Sequence, residues 1–289
     1  MAAVKLLIAL GAFEVAAWMW DVFGVHKALN DGAEMPMNHR IVAGLVNGFP
    51  LFMLAASLSW LRYIHEHPEE TEEEVQQERE EKREKKRRQK KEEASKRRHK
   101  GVPRDNAEND SDDDDDDDDD STAAAVSILP TGFASLLMPV LFLFLSMQLY
   151  FWWLPYFFDM APEELREEHA RQLADVPKVL PPLRHTLHII PDIEHTILFP
   201  LTLATVVASI GRFVVDVNEA NRPWLATIVV FISGIGLASL PAAMAGKDNV
   251  GAVIAAAVTG VLSVITAVST AVTAASRGRS AESESKKDK

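Results

Sequence analysis

The chain has 289 residues, with 30 Lys plus Arg, 42 Asp plus Glu, no Cys, and 47% hydrophobic residues. Of its 72 charges, 38 lie within residues 63–121, so the rest is charged at about 15%, far below the roughly 25% of soluble domains. The net charge of −12 therefore belongs to one segment, which excludes a basic nucleic-acid binder, and the lack of Cys excludes disulfides, Cys-ligated zinc, iron–sulfur clusters and thiol nucleophiles.

A bilayer core about 30 Å thick needs roughly 20 mostly apolar helical residues. Residues 6–20 are apolar except for Glu14. No clean small-x-small cleavage site follows, so 4–24 reads as a retained span rather than a signal peptide. Uncharged runs then cover 41–60, 123–158, 196–211, 223–246 and 249–276. The 123–158 run would be about 54 Å long as one helix. Pro130 and Pro139 are expected to divide it, with the span near 132–154. The run at 196–211 becomes long enough if 189–193 dips into the interface. All six Trp (Trp18, Trp20, Trp60, Trp152, Trp153, Trp224) fall near the expected ends, where an indole prefers the headgroup level.

The expected fold class is thus an all-α polytopic transmembrane helix bundle of about six spans with a charged, partly disordered internal loop. Its parts are a two-span hairpin (1–62), the charged loop (63–122), a four-span bundle with a polar loop at 159–191 (123–276), and a disordered tail (277–289). Six spans put the N-terminus, the charged loop, the 212–222 turn and the tail on one side. That side holds 23 Lys plus Arg against seven, although the loop's 14 are remote from the spans. The excess of base favours a cytoplasmic location for both termini and the loop.

Within the loop, acid precedes base, and Glu78/Lys82, Glu81/Lys85 and Glu84/Arg88 are favourable i,i+4 pairs. Only Val75 could serve an apolar seam, so 69–100 reads as a solitary charged helix instead of a coiled coil. Residues 112–120 are nine consecutive Asp, which repel one another and bury nothing, so disorder is expected there. Residues 69–120 could tether, contact anionic lipid, or dock a protein partner.

In the spans, small residues recur every fourth position at Gly251, Ala255, Thr259, Ser263, Ala267, Ala271 and Ala275, and at Gly234, Ala238, Ala242 and Gly246. Such ridges allow close backbone approach, either within an antiparallel hairpin or across a homo-oligomer seam. Pro50, Pro139 and Pro200 lie inside spans and permit kinks or a pocket.

Among polar groups, Glu14 must face the bundle, pair, or be protonated. Seven residues on, Asp21 is expected on the same helical face, and with Asn47 it would form a stripe suited to proton or cation passage. His185, His188, Asp192 and His195 provide imidazoles and a carboxylate that could ligate zinc or another borderline divalent ion, or gate ions. No Ser/His/Asp order, P-loop or dinucleotide fingerprint is present, which argues against a soluble-type enzyme and any organic cofactor.

The stretch Phe151-Trp152-Trp153-Leu154-Pro155-Tyr156-Phe157-Phe158, then Pro162-Glu163-Glu164, Leu180-Pro181-Pro182 and His195 at a span start, resembles a group of uncharacterised bacterial multi-pass membrane proteins. Those proteins carry Gly where this chain has Asp159, and they lack the long acidic loop. The resemblance covers about 60 residues and implies a membrane bundle with an ordered 159–191 loop, without an activity. Three functional readings remain: a non-enzymatic scaffold recruiting partners through the charged loop, a proton- or cation-linked transporter or channel, and a His-ligated membrane metalloenzyme.

Overall fold

Hydrocarbon offers no water to bond backbone N–H and C=O groups, so a crossing segment satisfies them internally as helix. Six helices in the computed structural model are long and apolar enough to cross a membrane: Ala2–Trp20, Met37–Glu66, Ile128–Phe158, Ile193–Glu219, Pro223–Pro241 and Val250–Ser280. The protein is a multi-pass integral membrane protein. The structure describes residues 1–21, 24–29, 34–67, 84–85, 119–173, 176–183, 189–220, 222–245 and 249–285. Most of the expected charged helix and acidic tract lies outside these residues, as do His185 and His188.

In chain order the helices are α1 (Ala2–Trp20), α2 (Val25–Leu29), α3 (Met37–Glu66), α4 (Asp119–Gln148), a π-helical turn (Leu149–Trp153), α5 (Leu154–Phe158), α6 (Glu163–Gln172), α7 (Ile193–Glu219), α8 (Pro223–Ala245) and α9 (Val250–Ser285). The α1–α3 pair and the α8–α9 pair each pack against α4 and α7, which form the centre. Leu7, Leu10, Leu54, Leu58, Met138, Phe142, Val206 and Phe213 make one continuous buried core across these elements. Apolar side chains left outside it, such as Phe133, Val207, Ile232 and Val268, are exposed on the spans.

Several boundaries differ from those drawn by charge. α4 runs unbroken through Pro130 and Pro139 from Asp119, so Pro130 does not divide it and Asp119 and Asp120 are helical. α7 continues past Arg212 to Glu219, and α9 continues past Arg277 to Ser285, where a disordered tail was expected. A charge outside hydrocarbon does not end a helix, and i,i+4 pairs support such ends: on α7 Arg212 pairs with the fully buried Asp216, and at the end of α3 Arg62 pairs with Glu66 at 2.5 Å. Glu219 adds His65 at 3.8 Å and Arg277 at 3.9 Å, tying α3, α7 and α9 at one end.

Small residues set the helix spacing. A Cβ at Gly48 would lie 2.6 Å from Val15 Cγ2 and 3.0 Å from the Gly11 carbonyl oxygen, so only Gly lets α1 and α3 come this close. Gly234 faces Ser263, and Gly260 faces Ala238, which makes α8–α9 a small-residue hairpin. The ridge on α9 does not serve α8 throughout. Gly251 lies under the Met160 carbonyl and the Tyr150 ring, and Ala252 and Ala255 cluster with Tyr150. Hydroxyls and amides join the centre: Ser146 to Thr259 at 2.6 Å, Gln148 Nε2 donating to Thr202 Oγ1 at 2.9 Å, and Asn218 Nδ2 donating to the Thr270 carbonyl at 3.3 Å.

Candidate functional site

The described residues of the 159–192 connection, 159–173, 176–183 and 189–192, are folded onto the bundle. Asp159 takes the left-handed conformation (φ 58°), the conformation that glycine adopts without steric cost, and its carbonyl accepts from Arg166 Nη2 at 2.8 Å. Acidic Glu163 and Glu164 open α6 while His169 and Arg171 close it, the order that suits the helix dipole. Tyr156 Oη donates to the Pro181 carbonyl at 2.9 Å, and Lys178 bridges antiparallel to Asp192. Trp152 and Trp153, near the end of their span, are buried with Val25, Leu173, Val176 and Ile189. Their indoles are the core beneath the connection.

Between this cap and the spans lies a cavity of about 630 Å³. Glu14 and Trp18 come to it from α1, Val46, Asn47, Pro50 and Leu51 from α3, and Leu143, Phe144 and Gln148 from α4. The π turn brings Phe151 and Trp152, α6 brings Glu168 and His169, and α7 brings Glu194, His195 and Leu198. A π turn inserts an extra residue into a helix and re-aims its side chains, and such turns concentrate at functional sites. Here it swings Trp152 inward. The walls are mainly apolar, and one rim carries Val46, which is 65% exposed, on a span face.

The polar groups form a chain across the cavity's capped end. Asp192 caps α7, with Oδ1 accepting the His195 backbone N–H at 2.9 Å. The same carboxylate lies 2.9 Å from His195 Nδ1, so Nδ1 is spent on Asp192 and Nε2 is the ring nitrogen left to the cavity. Trp152 stacks on the His195 ring at 3.9 Å, and its centroid is 4.7 Å from that of His169. Burial pushes the His169 pKa from 6.5 down to about 4, helped by nearby His195 and Lys178 and opposed by Asp192. His169 is therefore a neutral imidazole at ordinary pH. Deeper in, Glu14 is 5% exposed with Oε1 lacking a protein partner, and Gln148 is 6% exposed with Oε1 likewise unbonded.

Of the residues singled out by sequence, Glu14 and Asn47 meet in this cavity, along with His195. Asp192 stands just behind, holding His195. Asp21 is not among the residues lining the cavity. α1 stops at Trp20, and Asp21 turns left-handed (φ 45°), its carboxylate accepting the Lys27 backbone N–H at 2.8 Å. The proposed metal set is only half described, and no group of three His, Cys, Asp or Glu suited to a metal occurs among the described residues. Gly234, Ala238, Gly251, Ala255 and Ser263 lie away from the cavity lining and serve packing. Sequence reasoning missed Glu194, His169, Gln148 and Trp152. Glu194 had a readable signal, an acid in the first turn of a span.

The chain matches no protein-family model, no curated protein and no solved structure.

Proposed function

We propose that this protein is a proton-linked membrane transporter whose working site is the capped cavity. The observation that carries the reading is Glu14, a carboxyl group buried inside a span at the wall of a cavity, with Oε1 lacking a protein partner. An acid held at such cost is a functional group by default. Glu194, His195 and His169 add titratable groups to the same lining as Glu14, together with the solvent-facing Glu168 on the cap, and imidazoles and carboxyls are the groups that can pass protons. The likeness of 151–195 to bacterial multi-pass proteins belongs to the same proposal, since that stretch supplies Trp152, His169, Glu194 and His195.

Proton uptake into proteoliposomes under an imposed pH or voltage gradient tests this reading. Glu14→Gln should abolish protein-dependent flux, and unchanged flux would end the proposal. The scaffold reading rests on the charge pattern of 69–120 alone, with anionic lipid or a protein partner as its target. Deleting 69–118 separates the two, because a transporter keeps flux while a scaffold loses its partners. Both termini and the charged loop are placed on the cytoplasmic side by their excess of base. The Cys-free chain permits single-Cys labelling in sealed vesicles, where a label reaching residue 100 from outside would reverse that orientation.

A further inference from the structure

At the Glu14–Gln148 level, two fully buried acceptor oxygens of the lining residues are without a protein partner. Glu14 Oε1 and Gln148 Oε1 have no bonded donor, while one of the two Gln148 N–H donors goes to Thr202. At the cap, the Nδ1 of the 7% exposed His169 is also without a partner, and His195 Nδ1 is spent on Asp192. No Lys or Arg stands among the described lining residues, whereas Glu14, Glu168 and Glu194 all do. Buried acceptors without donors cost free energy until something supplies hydrogens, and the local charge favours a positive donor. Leu51, Phe144 and Leu198 supply apolar wall, which a small hydrated inorganic ion would leave unused. The exposed Val46 at the rim offers a path from the lipid side.

From this combination we infer that the cavity binds a lipophilic primary or secondary ammonium ion. Its N–H groups donate to Glu14 and Gln148, and its apolar body lies against Leu51, Phe144 and Leu198. A volume of about 630 Å³ lies within the roughly 300–1,000 Å³ of small-molecule sites, so a one-ring or two-ring amine fits. The inference names the ligand class of the site on which the transport reading rests.

The test uses full-length protein in nanodiscs and one fluorophore in three charge states: dansylcadaverine (ammonium), its N-acetyl derivative (neutral) and dansyl-aminohexanoate (anion). Saturable binding of the ammonium probe, with the other two at least about tenfold weaker, is expected. Glu14→Gln and Gln148→Leu should each weaken the ammonium probe by about tenfold, the scale of one lost charge-assisted hydrogen bond. Gly132→Ala, away from the cavity lining and with open space for the added Cβ, should bind as well as the parent, and a thermal melt of every variant serves as the check on folding. Equal affinity for all three probes, or full affinity in both Glu14→Gln and Gln148→Leu, overturns the assignment. Selective ammonium binding without proton flux leaves the ligand class standing and ends the transport reading. Glu14-dependent proton flux without ammonium binding does the reverse.

Discussion

Acidification should loosen α6 from the bundle through His169. The folded protein holds this imidazole neutral with a pKa of about 4, against 6.5 when free, so the detached state binds the extra proton in the window between. Stability is therefore fully present above about pH 6.5 and falls as pH drops toward 4. A gap from 6.5 to about 4 is worth roughly 3 kcal/mol in full, and about 2 kcal/mol at pH 5, or about thirtyfold in the opening equilibrium. His169 is 7% exposed, so solvent screening removes little of this. Hydrogen–deuterium exchange of peptides covering 163–173, corrected for intrinsic rates, should show about thirtyfold more opening at pH 5 than at pH 8. Other groups titrate nearby, and His169→Gln isolates the effect because Gln stays neutral throughout. An identical pH dependence in His169→Gln, or a directly measured His169 pKa near 6.5, would refute the reasoning.

Three further outcomes concern the packing. Gly48→Ala should force α1 from α3 and cost about 1–3 kcal/mol, read as a lower melting temperature in detergent, while Gly132→Ala, with open space at its Cβ, should not. Gly234→Ala places a Cβ onto the Ser263 side chain and should destabilise similarly. Adding Ser263→Gly should recover part of that loss, and strict additivity of the two would show that the α8–α9 contact is not as described. Arg212→Gln strands the buried Asp216 and should cost on the order of 3 kcal/mol. The double substitution Arg212→Gln with Asp216→Asn should restore most of it, which a melt of the parent and the two variants would check.

The crossings were legible because the bilayer imposes a length that uncharged runs either meet or miss, and residues such as Phe133 and Val207 meet it by composition alone. Helix ends were less legible. Charge marks where hydrocarbon stops, but Arg212, Asp216 and Glu219 extend α7 into the polar zone through side-chain pairs that a hydropathy limit ignores. Glu14 announced itself through the cost of an acid in lipid. Asp21 was less legible, since heptad spacing places it with Glu14 only if the helix continues, and α1 ends one residue earlier, leaving Asp21 outside the cavity lining. The small-residue pattern foretold the α8–α9 hairpin, yet it could not show that Gly251 would yield its space to Tyr150 and Met160.

Sequence by itself determined that this chain dissolves in a membrane as a helix bundle, because burial of apolar side chains and satisfaction of backbone groups are properties of each segment alone. Only the tertiary structure decided where its polar groups meet. Glu14, Gln148, Trp152, His169 and His195 come from five separate elements, and their convergence depends on a π turn, a folded cap and Gly-permitted helix contacts. Those are relations between distant residues, set by how surfaces pack, and no local spacing encodes them.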